Sequence, residues 1–344
     1  MAGGSPEKQK GLYLFTRLRC KIARIVSEYF GPHFSLFERT QARAYDEMLR
    51  EAKKIRADWY IGHNMGALPV AVKAAMFHGA KAGFDFEDYY RGENLPGMSR
   101  PLERISYLEN KYLPSLSYYS VSSDLIGEAV HKDHPGFNGI ALPLLNCFPS
   151  KQQPRFVEKN AGDSTLQLFW FSQTIGTNRG LELLMEAMKL MNDSTIHLTL
   201  AGRCDKDMLT YILAHAGSMN SNIHFAGIIQ PEELPAFAAH FDVGMAMELA
   251  IPINRDLCLT NKIFTYLLAG NAIILSETAM QLTFNKTYKV GQSFANNDVE
   301  ALCEKIRTYK DTPLLRTQRL HNYCLAKETL NWEVESKKLL ATIH

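Results

Sequence analysis

The fold of this chain is decided by the stretch Asn254-Arg-Asp-Leu-Cys-Leu-Thr-Asn-Lys-Ile-Phe-Thr-Tyr-Leu-Leu-Ala-Gly270 and the five residues after it, Asn271-Ala-Ile-Ile-Leu275. The first residues predict an irregular polar loop. Four apolar residues at helical spacing then predict a helix that ends at the glycine: Ile263, Tyr266, Leu267 and Leu268. The last five residues are typical of a buried parallel strand. A loop, a helix and a buried strand in this order indicate a parallel α/β fold.

The first turn of this predicted helix carries Lys262, behind a cap that Thr260 or Asn261 can supply. A lysine there is unfavourable for the helix itself, because the positive end of the helix dipole lies at the same place. A bound anion would remove the conflict, since free backbone N–H groups and a lysine both suit phosphate. An isolated lysine of this kind is more often a solvated surface residue. Whether Lys262 binds an anion therefore depends on which other groups lie near it.

Composition limits the classes of protein that need to be considered. The 344 residues are enough for two domains, and 46% hydrophobic with 22% charged residues is typical of a soluble globular chain. A net charge of +2 does not indicate nucleic-acid binding. The six cysteines are scattered without a Cys-x-x-Cys pair, which argues against a zinc site and a disulfide framework. No apolar run reaches the length of a membrane span, and residues 1–10 lack a secretion signal, so we expect a cytoplasmic protein.

Residues 11–30 predict an amphipathic helix. One face is apolar and carries Leu14, Leu18, Ile22, Ile25 and Tyr29, while Arg17, Arg19, Lys21 and Arg24 supply positive charge. Such a helix can lie on the anionic inner face of a membrane as a peripheral contact. A helix of this kind more often covers a hydrophobic core, and we favour that interpretation from the sequence.

The N-terminal half alternates predicted strands with predicted helices. The strands are 57–62, 80–86, 116–122 and 139–143, and the helices are about 38–55, 70–78, 101–112 and 124–131. Alternation of this kind predicts a parallel sheet whose ligands bind beyond the carboxyl ends of the strands. His63, Glu87 and Asp88 all follow strands at that edge. A first strand and glycine-rich loop are missing before residue 57, so this domain is either abbreviated or unusual in its order.

A break with two prolines, 148–163, predicts a linker, and a second series of strands and helices follows it. Its strand-end loops are 173–180, 202–205 and 248–261. In the first of these, backbone N–H groups, the flexible Gly176 and the guanidinium of Arg179 form a reasonable cradle for a diphosphate. Lys262 approaches the same edge, and together these groups favour a nucleotide-diphosphate site over a solvated lysine.

These stretches resemble family 4 glycosyltransferases, whose donor-site helix commonly reads Pro-Asn-Lys-hydrophobic-Phe-Glu-Tyr-x-x-x-Gly-x-Pro-Val-hydrophobic. Residues 260–274 here read Thr-Asn-Lys-Ile-Phe-Thr-Tyr-Leu-Leu-Ala-Gly-Asn-Ala-Ile-Ile. Residues 170–182 are similar to the family's Gly-Arg…Lys-Gly loop, with Arg179 at the lysine position. Residues 57–64 are similar to the strand that ends in the active-site histidine, here His63. The resemblance covers about residues 55–344.

The resemblance implies a GT-B fold, an α/β architecture in which two Rossmann-like domains face each other across a cleft. It implies an acceptor-side domain over 1–150 and a nucleotide-sugar donor domain over 151–328, with a last helix, about 329–344, that packs on the first domain. The reaction would transfer a sugar from a nucleotide-diphosphate sugar, with retention, to a glycan or lipid-linked acceptor. Polysaccharide or glycoconjugate biosynthesis would be the setting.

The resemblance also implies a role for each candidate residue. His63 would be the catalytic residue, facing the sugar or the acceptor, and Glu87 and Asp88 would contact acceptor hydroxyl groups. Asn254 and Arg255 would add contacts from the donor loop. The donor and its phosphates would be bound by a larger set: Thr174, Gly176, Arg179, Asn261, Lys262 and Thr265. No metal and no cofactor would be needed, because protein cations stabilise the leaving diphosphate.

Three departures from the family pattern leave other functions open. Thr265 stands where the family has a glutamate for the donor ribose, Leu257 stands where a second glutamate is common, and Gln173 or Thr174 replaces an arginine of the loop. A non-catalytic sugar-nucleotide binder or partner subunit on the same fold is therefore the main alternative. A sugar-nucleotide epimerase is a second one. An NAD enzyme is less favoured, since no Gly-x-Gly-x-x-Gly follows any predicted strand.

Overall fold

The structure, a computed structural model, describes residues 3–95, 99–137, 139–159 and 162–343. Within these ranges the chain forms two compact units that divide between Leu144 and Leu145. The domain limits 1–150 and 151–328, and the packing of the last helix on the first domain, stay predictions. None of the described helices combines the length and the apolar character that crossing a bilayer requires.

The first unit contains a four-stranded parallel sheet in the order β1-β2-β3-β4. Its elements are α1 (Lys10–Phe30), α2 (Leu36–Gln41), α3 (Tyr45–Ala52), β1 (Trp59–His63), α4 (Leu68–His78), β2 (Lys81–Phe86), α5 (Ser99–Tyr112), β3 (Tyr118–Val121), α6 (Asp124–Asp133) and β4 (Ile140–Pro143). The predicted alternation of strands and helices is confirmed. Among the described residues no strand precedes β1, so this sheet begins where the sequence first shows a strand pattern.

The single helix predicted over about 38–55 is wrong. The chain leaves the helical conformation at Ala42, where φ is −133° and ψ is 111°, and this break separates α2 from α3. Arg43 lies in the break and donates hydrogen bonds to the carbonyl oxygens of Gly3 (2.6 Å) and Gly4 (3.1 Å). These contacts are tertiary, and the local pattern of charges therefore does not reveal them.

The prediction that α1 covers the core with its apolar face is also wrong. The buried residues of the helix are Thr16 and Ala23, on the opposite face. Every member of the predicted apolar row is at least half exposed: Leu14, Leu18, Ile22, Ile25 and Tyr29. Polar contacts attach the helix to α3 instead. Among them, Arg19 forms an ion pair with Glu47 at 2.5 Å. Periodicity identifies an apolar face but does not show whether another element packs against it.

The second unit contains a six-stranded parallel sheet in the order β10-β9-β8-β5-β6-β7. Its elements are β5 (Leu166–Thr174), α7 (Leu181–Met191), β6 (Ile196–Arg203), α8 (Lys206–Ala216), β7 (Ile223–Gly227), α9 (Leu234–Ala238), β8 (Val243–Ala246), α10 (Ile253–Leu257), α11 (Asn261–Ala269), β9 (Ala272–Ser276), α12 (Ala279–Tyr288), β10 (Gly291–Phe294), α13 (Val299–Thr308), α14 (Thr312–Glu328) and α15 (Trp332–Ile343). The strand order reverses between β5 and β8, which in open α/β sheets is where ligands bind.

The helix and strand of the opening stretch form as predicted. Gly270 has a φ of 76° and caps α11 in the left-handed conformation that glycine tolerates best. Tyr266 is fully buried and donates a hydrogen bond to the carbonyl oxygen of Phe169 in β5 (3.1 Å). Its ring packs directly on Gly244 of β8, where an added Cβ would lie 2.2 Å from the ring. These contacts fix α11 on the centre of the sheet.

Part of the same stretch differs from the sequence prediction. The segment predicted as an irregular loop contains the short helix α10, in which the N–H of Cys258 donates to the carbonyl oxygen of Asn254 (2.9 Å). The sequence pattern also gives no prediction for α12 and β10, which follow β9. Asp256 in α10 accepts a hydrogen bond from the N–H of Ala279 (2.8 Å), so α10 is held against the start of α12.

Candidate functional site

The carboxyl edge of the second sheet carries a buried ion pair. Lys262, in the first turn of α11, donates a hydrogen bond to Glu248, with 2.5 Å between Nζ and Oε1. The side chains are 9% and 6% exposed, respectively. The ammonium also lies 5.5 Å from the centre of the Trp170 ring, an arrangement favourable to a cation. Lys262 is therefore an ordered cation with a fixed partner, and the interpretation as a solvated surface lysine does not hold.

Glu248 is the residue of this site that the sequence analysis missed. It follows β8, and its N–H donates to the hydroxyl of Ser276 at the end of β9 (2.8 Å). This bond joins the ends of two neighbouring strands and aims the carboxylate at α11. A signal was available, because Glu248 is the first charged residue after an apolar strand that ends at the ligand-binding edge. The sequence does not show that its partner is a lysine 14 positions later.

The N-terminus of α11 has an unsatisfied polar atom beside this pair. Thr260 is the N-cap residue, yet its side chain makes no capping hydrogen bond, and its buried hydroxyl has no partner among the described residues. The side-chain amide of Gln281, in the first turn of α12, is also buried without a partner in the described part of the chain. Both helices begin at the carboxyl edge, but Asp256 and Thr278 already accept from the first N–H groups of α12, whereas α11 has no side-chain cap. Uncapped N–H groups such as those of α11 can bind an anion.

The turn after β5, predicted as a diphosphate cradle, is partly occupied by internal hydrogen bonds. The N–H of Ile175 donates to the carbonyl oxygen of Arg203 (2.8 Å), and the N–H of Asn178 donates to the carboxylate of Glu182 (2.8 Å). Arg179 is half-buried and has no hydrogen-bond or ion-pair partner among the described residues. Its guanidinium is thus available to a ligand, together with the N–H groups of the turn that these two bonds leave unused.

Two contacts connect this turn to the segment that carries Glu248. Arg255 of α10 donates a hydrogen bond to the carbonyl oxygen of Asn178 (2.7 Å). Gly180 faces Met247, and an added Cβ would lie 3.0 Å from the Cβ of that methionine. The loops that carry the two predicted cations therefore meet at one edge of the sheet. That Arg179 and Lys262 bind the same diphosphate stays a prediction.

The other predicted donor residues differ in how accessible they are. Thr174 and Asn261 are exposed, and Gly176 has open space where a side chain would be. Asn254 is buried. Thr265 is 1% exposed and donates its hydroxyl to the carbonyl oxygen of Asn261 within α11 (3.0 Å). Its hydroxyl is thus used by the helix itself, whereas the family's glutamate is expected to bind the ribose.

A cavity of about 570 Å³ adjoins the same turn. Asn178 and Gly180 line it together with Glu182, Glu186 and Lys189 of α7. Two carboxylates against one ammonium leave an excess of negative charge, which is unfavourable for a phosphate group. The start of α11 is the more suitable place for an anion.

At the carboxyl edge of the first sheet, three polar side chains form a chain of hydrogen bonds. His63, Asp85 and Ser120 are register partners at the ends of β1, β2 and β3. Ser120 donates to one carboxylate oxygen of Asp85 (2.8 Å), and the other oxygen lies 3.1 Å from His63 Nδ1. A carboxylate only accepts, so Nδ1 carries a proton, and the neutral tautomer that fits this contact has Nε2 as its acceptor. Asp85 therefore selects the tautomer of His63.

The predicted acceptor contacts lie beside this chain. Glu87 is exposed, and its carboxylate is 4.0 Å from His63 Nδ1, while Asp88 is half-buried. Burial and the charge of Asp85 raise the pKa of Tyr118 to about 12.

The nearest nitrogen and carboxylate oxygens of His63, Asp85 and Glu87 lie within 4.8 Å of one another, a spacing that could accommodate a cation. Metal independence stays a prediction.

The two parallel α/β units place the chain in the GT-B fold class, and solved structures confirm that prediction. No protein-family model matches the sequence, and no curated protein matches it. The similar structures are GT-B glycosyltransferases. The sequences of these structures differ so much from this chain that the similarity shows the fold alone.

Three of these structures illustrate the similarity. HepE from Anabaena, solved with UDP-glucose, is 14% identical with a TM-score of 0.65, and the match covers 88% of this chain and 82% of HepE. Sucrose-phosphate synthase from Thermosynechococcus elongatus is 14% identical with a TM-score of 0.68, covering 90% of this chain and 78% of that one. TarM from S. aureus, solved with UDP, is 12% identical with a TM-score of 0.65, covering 88% and 59%.

Proposed function

We propose that this protein is a glycosyltransferase that moves a sugar, with retention, from a nucleotide-diphosphate sugar to a glycan or lipid-linked acceptor. Cytoplasmic polysaccharide or glycoconjugate biosynthesis would be its setting. The fold class supports the proposal, and two of the similar structures, HepE and TarM, were solved with UDP-glucose and UDP, respectively. The family 4 resemblance of residues 260–274 supports it independently.

One observation carries the proposal: the start of α11 combines a buried cation with an unsatisfied hydroxyl. Lys262 and Thr260 are adjacent to free N–H groups of the helix, and the dipole adds positive potential there. An ordered cation beside a helix N-terminus suits a diphosphate, because the negative charge receives both an ammonium and backbone donors. Glu248 holds the ammonium in place until the ligand binds.

In this proposal the second unit stabilises the leaving group. Negative charge develops on the nucleoside diphosphate as the bond to the sugar breaks, and fixed positive groups lower the energy of that state. Lys262 and Arg179 would supply the charge, and Arg255 would hold the turn that carries Arg179. Asn261 and Thr174 are exposed and would contact the donor.

His63 would act from the first unit. With its proton held on Nδ1 by Asp85, Nε2 is the acceptor for a hydroxyl group of the sugar or of the acceptor. Glu87 and Asp88 would bind further hydroxyl groups of the acceptor. Asp85, which the sequence analysis did not select as a site residue, would keep His63 in the productive tautomer.

A second candidate function is favoured by one specific observation. The buried Thr265 hydroxyl is bonded within its own helix, so the expected ribose contact has no replacement at this position. A chain that binds nucleotide sugars without turning them over, as a pseudoenzyme or partner subunit, would tolerate this loss. A sugar-nucleotide epimerase would instead convert the donor without any acceptor.

A panel of UDP- and GDP-sugars separates these functions. We expect turnover of one or a few donors, measured as released nucleoside diphosphate, and an increase when acceptors are added. Binding of a donor by calorimetry without release would instead support the non-catalytic function. Conversion to an isomeric nucleotide sugar without an acceptor would support the epimerase. Either of these outcomes would contradict the proposed transferase.

The proposed metal independence can be tested by removing divalent cations. We expect donor turnover in excess EDTA to remain within about twofold of turnover in Mg²⁺ or Mn²⁺, because protein cations provide the positive charge at the diphosphate. The measurement is released nucleoside diphosphate after extensive dialysis against chelator. Loss of turnover that Mn²⁺ restores would contradict this expectation. The variant Glu87→Gln would then show whether the His63, Asp85 and Glu87 group holds the ion.

A further inference from the structure

The outward face of α1 is an exposed apolar surface without a partner in the described structure. Six side chains on it are each at least half exposed: Leu14, Phe15, Leu18, Ile22, Ile25 and Tyr29. They recur at helical spacing and therefore form one continuous row along the helix. With 21 residues, α1 is about 31 Å long. A contiguous apolar face of this length on a folded protein indicates an interaction surface.

The inward face shows that the outward exposure is a stable property of the fold. Thr16 is fully buried and donates a hydrogen bond to the carbonyl oxygen of Gly3 (3.1 Å). Arg19 contacts both Asp46 (3.1 Å) and Glu47 (2.5 Å) on α3. These bonds lock the rotation of the helix about its own axis. The apolar row therefore cannot turn inward without breaking these partly buried ion pairs and the buried hydrogen bond of Thr16.

One long edge of the apolar row is basic. Arg17, Lys21 and Arg24 lie on this edge, and all three are exposed. None of their side chains has a hydrogen-bond or ion-pair partner among the described residues. The acidic residue on the same edge, Glu28, is already paired with Arg100 at 2.5 Å. The edge thus carries uncompensated positive charge next to an apolar face.

We propose that α1 docks this protein on an anionic membrane surface. The apolar row would enter the boundary between headgroups and acyl chains, and Arg17, Lys21 and Arg24 would lie among the anionic headgroups. This geometry is that of an interfacial helix, which lies in the membrane plane without crossing it. The proposal does not depend on sugar transfer, since it rests on α1 alone.

Charge favours a lipid surface over a second copy of the chain. A second copy would bring the same positive edge, and Glu28 is already neutralised by Arg100. An anionic bilayer supplies both parts that this face lacks, namely apolar contact and negative charge. A self-association of the apolar rows would leave the basic residues unpaired.

Vesicle co-sedimentation of the full chain tests the proposal. We expect binding to vesicles of phosphatidylcholine mixed with phosphatidylglycerol, weaker binding to phosphatidylcholine alone, and a decrease with added salt. The double variant Leu18→Glu/Ile22→Glu should lower the partition coefficient by roughly 100-fold or more. The triple variant Arg17→Gln/Lys21→Gln/Arg24→Gln should lower it by roughly 100-fold. Circular dichroism should be unchanged, because all five positions are exposed.

Matched controls on the second unit make the result specific. Leu190→Glu/Ile228→Glu changes two equally exposed apolar residues, and Lys206→Gln/Lys286→Gln/Arg307→Gln removes three exposed charges. Both controls should bind vesicles like the unchanged chain. Equal loss in the controls, or no binding of the unchanged chain to anionic vesicles, would overturn the proposal.

Light scattering without lipid tests the alternative that a second copy of the chain binds the apolar row. We expect the chain and its Leu18→Glu/Ile22→Glu variant to have the same mass in solution. A dimer that this variant dissociates, with no vesicle binding, would assign the face to a second copy and overturn the membrane proposal.

Discussion

The double variant Lys262→Met/Glu248→Gln should remain folded and lose most of its affinity for a nucleoside diphosphate. Both side chains are buried and bonded to each other, so replacing the pair by neutral residues of similar size leaves no unpaired charge. The ammonium that would bind the phosphates is gone. Loss of a charge-assisted bond to phosphate corresponds to roughly a tenfold to hundredfold weaker affinity for UDP, measured by calorimetry.

The single variants distinguish a binding role from a structural role. Lys262→Met alone leaves Glu248 buried and unpaired and should lower the free energy of unfolding by about 3–5 kcal/mol. Glu248→Gln alone should also destabilise the protein, yet it keeps the ammonium and should bind UDP at least as well as the unchanged chain. If the double variant binds UDP with unchanged affinity, Lys262 has only a structural role. Thermal unfolding of all four proteins completes the comparison.

Asp85→Asn should reduce turnover by about 100-fold or more while donor affinity changes little. An amide can donate to His63 Nδ1, which favours the tautomer with its proton on Nε2 and removes the acceptor that the hydroxyl group needs. His63→Ala should have an effect of similar size. The measurement is kcat with the donor that the nucleotide-sugar panel identifies, together with the Kd of that donor.

Asp58→Asn is the matched control for this change. Asp58 is exposed and immediately precedes β1, at the opposite end of that strand from His63, so the same acid-to-amide change there should leave kcat within about twofold. Ser120→Ala, which removes the hydroxyl bonded to Asp85, should fall between the two variants. Equal turnover in Asp85→Asn and Asp58→Asn would contradict the tautomer argument, whatever the donor affinity.

Local sequence patterns predicted most of the architecture. The spacing from Ile263 to Gly270 identified α11 and its cap, because both depend on residues within one helix. The alternation of strands and helices placed His63 and Lys262 at the carboxyl edges of the two predicted sheets, where ligands bind in folds of this kind. Both are there in the structure, and His63 is the last residue of β1.

Pairings between distant residues could not be predicted in the same way. Glu248 meets Lys262 because β8 and α11 pack together, and the sequence gives no register for that contact. Asp85 rather than Asp88 meets His63 because the two are register partners on adjacent strands. Asp85, Glu87 and Asp88 lie close together in the sequence, but identifying the one that is bonded to His63 needs the alignment of the strands.

The orientation of α1 shows a different limit. An amphipathic pattern reports that one face is apolar, and the same pattern fits a core-covering helix and an interfacial helix. Contacts with other segments hold α1 in its orientation, among them the ion pairs of Arg19 with α3. That information lies in those segments and not in residues 11–30.

The central claim is that the edge of the second sheet around Lys262 binds a nucleotide-diphosphate sugar. Native mass spectrometry tests it directly, after the chain and its Lys262→Met/Glu248→Gln variant have each been incubated with an equimolar mixture of UDP- and GDP-sugars. We expect the unchanged chain to retain one nucleotide sugar per molecule and the variant to retain none. A chain that retains no nucleotide sugar, or a variant that retains it equally, would contradict the claim.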